Sequence, residues 1–107
     1  MRETSEYCVV ITTCGNRESA ERIASLLLAE RLAACVQILN ITSLYTWKEE
    51  TAKDDEALLL IKAKTSLYPE IEACISHNHT YEVPEVIQLA IDNGSSSYLK
   101  WISEVSK

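Results

Sequence analysis

The chain has 107 residues, 16 acidic against 10 basic, a formal charge of −6 and 47% hydrophobic content. A single domain of this size buries roughly two-thirds of its unfolded surface, enough for one core. The acidic balance leaves no basic footprint for nucleic acid, and no apolar run approaches the ~20 residues of a membrane span.

The N-terminal "MRETSEY" lacks the apolar stretch of a signal peptide, so a cytoplasmic location is expected. Cys8, Cys14, Cys35 and Cys74 form no CxxC motif, which argues against a zinc ribbon or a thioredoxin-like centre. Free thiols in a reducing compartment are the expectation, with Cys8, Cys35 and Cys74 acting as small core residues.

"YCVVITT" (7–13) is short and β-branched and predicts a buried strand. Asn16 then suits an N-cap, and Ala20, Ile23, Ala24, Leu27 and Leu28 recur at helical spacing, predicting a helix over 17–32. "ACVQILNITSLYTWK" (34–48) predicts one long strand. The polar, acidic 49–56 reads as a solvated turn, and "ALLLIKAKT" (57–65) as the returning strand of a long hairpin. Five acids crowd that turn, but it has neither the ligand spacing nor the glycine of a calcium loop.

Ser66 is a candidate cap for a second helix, with Pro69 in its first turn. Leu67, Ile71, Cys74 and Ile75 give its apolar stripe. It should end near Asn78 in a left-handed conformation, with His77 in the last turn. Residues 83–91 alternate as a strand whose start is unpaired because Pro84 has no N–H. Tyr98, Trp101, Ile102 and Val105 mark a C-terminal helix.

The order predicts an α+β, ferredoxin-like fold, βαββαβ plus a C-terminal helix, with an antiparallel sheet and helices on one face. The other face needs a cover, because open apolar patches are rare on monomers. An overlong apolar hairpin points to oligomerisation through strands.

"AERLAACVQI" (29–38), "SLYTW" (43–47), "IKAKT" (61–65), "HTYEVPE" (79–85) and "YLKWI" (98–102) together resemble the CutA divalent-cation-tolerance family across essentially the whole chain. The resemblance implies a ferredoxin-like subunit in a tight homotrimer, an architecture similar to the PII signalling proteins, and a link to copper or other divalent cations. In members resembling a copper site, a strand cysteine falls on Thr12 here, and a His-His pair falls on Asn78 and His79. Only His79 is retained. Cys14 and His77 stand close to the two missing positions, and Cys14, His77 and His79 form the candidate metal set. A thiolate with imidazoles suits Cu(I) or Zn(II).

A second constellation is a subunit cleft. Glu56 and Lys62 share one strand face by parity, Trp47 supplies an apolar wall, and Tyr81 and Glu82 lie within reach of a neighbour's strand. Cys35 joins this set as a thiol that His79 could activate. Such a mixture of aromatic, cationic and anionic groups suits a small anion or metabolite. No nucleophile elbow appears, and no enzyme activity is expected. Two readings compete: a homotrimer that binds divalent metal and confers tolerance, and a PII-like module that senses a small ligand or docks a protein in its clefts.

Overall fold

A computed structural model describes residues 5–107. The elements run β1 (Tyr7–Cys14), α1 (Arg17–Ala29), β2 (Cys35–Trp47), β3 (Glu50–Lys64), a 3-10 turn (Thr65–Leu67), α2 (Tyr68–Asn78), β4 (Val86–Ala90) and α3 (Ser96–Val105). The strands form one antiparallel sheet in the order β2-β3-β1-β4. This is the expected ferredoxin-like arrangement, with the C-terminal helix appended.

Strand parity divides the sheet into two faces. Cys8, Val10, Leu59, Ile61 and Ala63 face α1 and α2, which contribute Ala20, Ile23, Leu27, Ile71 and Ile75 to a closed core. Each fully buried Leu or Ile contributes about 1.5–3 kcal/mol, so this layer fixes the register of the central strands. The opposite face carries Val9, Ile11, Leu39, Leu58, Leu60, Ile87 and Leu89 by the same alternation. α3 lies at one end of it: the Ser103 hydroxyl meets the Tyr7 hydroxyl at 2.7 Å, and Ile102 is fully buried outside the main core. The rest stays open, with Leu39 47%, Ile87 47% and Leu89 51% exposed.

Five local readings are corrected. Residues 50–56, read as turn, are strand: the hairpin closes in two residues, Lys48 and Glu49, with φ of 49° and 67°. Both left-handed values match a type I′ turn, whose twist suits antiparallel strands. Residues 41–47 therefore pair with 50–56 beyond the end of β1, extending the hairpin past the sheet by about 20 Å at ~3.3 Å per residue.

Helix α1 stops at Ala29 instead of residue 32. Arg31, at φ 57°, lets its N–H reach Leu28 O at 3.0 Å and the Leu32 N–H reach Leu27 O at 2.9 Å. This closure turns the chain so that Leu32 and Ala33 enter the core. Ser66 lies in the 3-10 turn and does not cap α2, whose N-cap is Leu67. At the other end Asn78 closes α2 without a left-handed backbone, since its side-chain amide donates to Cys74 O at 2.8 Å. β4 is shorter than 83–91 and begins after Pro84, as an edge strand.

Candidate functional site

The β1–α1 junction and the end of α2 meet beside the hairpin. Asn16 caps α1, its side-chain oxygen accepting from Ser19 N at 2.8 Å. This holds the preceding Thr13 and Cys14 at the sheet's end. His79 is the C-cap of α2, in extended conformation. Its Nε2 lies 2.6 Å from Thr13 O and its Nδ1 accepts the Tyr81 N–H at 3.0 Å. A carbonyl only accepts, so Nε2 carries the proton and the ring is neutral. The ring also packs on Tyr81, centroids 4.7 Å apart. Arg22 reinforces this corner by donating to Asn78 O.

Of the candidate metal ligands, the structure brings two together: Cys14 Sγ lies 3.8 Å from His79 Nε2. His77 is exposed in the last turn of α2 and makes no contact with them. Burial pushes the Cys14 thiol up, against a smaller lowering by Arg22, so it rests protonated. Both ring nitrogens of His79 are engaged, and among the described residues no group of three His, Cys, Asp or Glu side chains could hold an ion. The set as arranged in one chain does not fit a resident metal. Thr12, where the resemblance places a cysteine, is fully buried and its hydroxyl has no partner among the described residues.

Tyr81 links this corner to the hairpin. Its hydroxyl donates to Glu56 Oε2 at 2.7 Å, and a Cβ on Gly15 would meet that hydroxyl at 3.4 Å. Burial, then the neighbouring Glu56 carboxylate, drives the phenol well above its ordinary range, so it remains a donor. On the hairpin, Tyr45 donates to Asp54 in the same manner. Trp47, Glu56, Tyr81 and Glu82, four of the six expected cleft residues, line one cavity of about 810 Å³. Cys35 and Lys62 do not. They pair with each other six residues further along β3 than Glu56, about 20 Å away, where Lys62 donates to Gln37 at 2.7 Å. The lining of the cavity among the described residues includes no Lys or Arg, although the Lys48 ammonium lies 5.9 Å from the Trp47 ring centroid. Thr13, Tyr45, Asp54 and Glu85 join its lining. Reading 49–56 as a turn hid Asp54, although its parity with Glu56 was the available signal.

Residues 8–105 match the family model for the CutA1 divalent ion tolerance protein. The chain belongs to that family. It is 42% identical over 97 residues to the divalent-cation tolerance protein CutA of Thermus thermophilus, covering 90% of this chain and 94% of that one. It is 41% identical over 96 residues to human protein CutA, covering 89% of this chain, and 41% identical over 106 residues to the chloroplastic CutA of Arabidopsis thaliana, covering 98%. It spans only 54% and 58% of those two relatives' lengths. The crystal structure of CutA1 from Shewanella sp. SIB1 superposes with a TM-score of 0.94 at 39% identity, covering 97% of this chain and 98% of that one. For the Thermus thermophilus structure the values are 0.91 and 40%, covering 94% and 99%. Another family structure, from Archaeoglobus fulgidus, is described as periplasmic, so family membership does not carry a compartment with it. No helix among the described residues is long and apolar enough to cross a membrane.

Proposed function

We propose that this CutA1-family chain works as a homotrimer that contributes to divalent-cation tolerance, and that it does so as a binding protein rather than an enzyme. The supporting observation is the second sheet face. Its apolar residues continue from the sheet onto a hairpin with no third strand, and α3 covers only one end. A hydrophobic surface of that extent, flanked by two strand edges, is satisfied by copies of the same chain arranged about a closed symmetry axis. Light scattering is expected to give about three times the 12.0 kDa chain mass, unchanged at high salt because the contact is apolar. Leu89→Lys should shift that mass downward; a stable wild-type monomer would sink the reading.

Cys14 and His79 are the two donors a copper ion would meet, but His79 would first have to leave Thr13. The reading therefore places no resident metal in a single chain. Calorimetric titration of the assembly with copper tests this. His79→Ala is expected to lower thermal stability and to leave metal uptake little changed, whereas loss of a saturable copper site in that variant would restore His79 as a ligand. A cytoplasmic location is proposed on the four free thiols.

A further inference from the structure

The chain has four asparagines, Asn16, Asn40, Asn78 and Asn93. Three of their side chains are engaged: Asn16 accepts from Ser19 N at 2.8 Å, Asn40 accepts from Arg17 at 3.2 Å, and Asn78 donates to Cys74 O at 2.8 Å. Each of these three is followed by a bulky residue, Arg17, Ile41 or His79. Asn93 differs on both counts. It is exposed, its amide has no hydrogen bond among the described residues, and it precedes Gly94. The pair lies in the loop between β4 and α3, outside any helix or strand, and the Gly94 N–H has no acceptor among the described residues. Gly94 also packs closely on α3: a Cβ built there would meet the Leu99 side chain at 3.1 Å.

We propose that Asn93–Gly94 is a modification site, at which the folded protein converts asparagine to aspartate and isoaspartate through a succinimide. The Gly94 nitrogen, on losing its proton, bonds to Asn93 Cγ, and the Cγ–Nδ2 bond breaks to release ammonia. Solvent water then opens the ring at one of its two carbonyls. The net change is an amide and water giving a carboxylate and ammonium. Glycine favours the first step, because no Cβ shields the attacking nitrogen or restricts the backbone rotation that brings it to Cγ. An N–H without an acceptor loses its proton more readily than one held in a hydrogen bond, and an exposed loop admits water for the second step. The two products act differently on α3. Aspartate keeps the chain path and places a negative charge near the N-terminus of the helix, where its dipole favours one. Isoaspartate adds a methylene to the main chain, about 1.5 Å, beside a glycine that has little slack against Leu99. The bond that opens α3, from Leu99 N to Ser95 O at 3.1 Å, follows directly, so the isoaspartate form loosens the start of the helix. None of this requires the proposed assembly.

The protein in its native assembly, incubated at mildly alkaline pH, is followed by peptide mass mapping, with enzymatic carboxyl methylation marking isoaspartate. The peptide containing Asn93 is expected to turn acidic about tenfold faster than those of Asn16, Asn40 and Asn78, since only Asn93 is followed by an unhindered glycine nitrogen. Both acidic products should appear. Asn93→Gln should abolish them with the scattering mass unchanged, because the longer side chain must close a larger, slower-forming ring. In the isoaspartate fraction, separated by ion exchange, the Leu99 amide should exchange with deuterium about tenfold faster than in the unmodified chain. An Asn93 that converts in urea but stays amidated in the folded protein overturns the proposal, because the loop then locks it. So does conversion no faster than at the other asparagines, or aspartate formed without isoaspartate, which would mean direct hydrolysis. Unchanged exchange at Leu99 overturns the coupling to α3.

Discussion

Thr12 and His79 show how differently two polar side chains in one corner are satisfied. His79 has a partner on each nitrogen, one donated to and one accepted from, so it clamps the end of α2 to β1. Thr12, on the adjacent strand position, buries a hydroxyl with no partner among the described residues. An unsatisfied buried hydroxyl costs about 1–3 kcal/mol. Thr12→Val keeps the shape and removes that group, so it should raise the unfolding free energy by about 1 kcal/mol in urea titration, with no change in the slope. An unchanged or lower midpoint would mean that the hydroxyl is bonded in solution.

The hairpin is the element on which the candidate site depends, and its turn works against local preference. Lys48 and Glu49 both occupy left-handed backbone, which costs L-residues about 1 kcal/mol each. Asp, Glu and Lys are also poor strand formers, yet 50–56 pairs fully with 41–47. Cross-strand contacts offset this: Tyr45 to Asp54, and Thr42 Oγ1 to Asp55 Oδ1 at 3.3 Å. Replacing Lys48-Glu49 by Asn-Gly should remove the backbone strain and raise stability by about 1–2 kcal/mol. The melting temperature checks it; a fall would show that the Lys48–Trp47 contact outweighs the turn.

Across the whole molecule, the ionisable groups in the interior share one sign of effect. Burial is the largest cause raising the Cys8, Cys14 and Cys74 thiols above their ordinary 9.0. A folded value raised above the unfolded one means that the native state keeps the proton longer. The associated stability is whole below pH 9, where both states are protonated. It is lost as pH climbs from there through the folded values, because the unfolded chain ionises first. Denaturant midpoints should stay level with respect to these thiols between pH 7 and 8.5 and fall above 9. The fall should be shallower in a Cys8→Ala, Cys14→Ala double variant. An alkaline limb of unchanged slope in that variant would remove the buried thiols as its source.

Sequence by itself determined most element types and their order, because composition and hydrophobic period are local properties: β-branched and aromatic runs over 7–13 and 34–48, alternation over 83–91, and a helical period over 20–28 and 98–105. From the same patterns came the long hairpin, the second apolar face and the gathering of Trp47, Glu56, Tyr81 and Glu82 near one another. What tertiary structure decided was every outcome that depends on a partner distant in sequence. Whether 50–56 is turn or strand is settled by pairing with 41–47, against the composition of the segment. Whether His79 has a free nitrogen depends on Thr13, 66 positions away. That Lys62 stands about 20 Å from Glu56, outside the cavity that Glu56 lines, follows from β3 continuing straight through both. Parity assigns a side chain to a face, but only the folded chain fixes how far along that face two side chains lie and which hydrogen bonds have already claimed them.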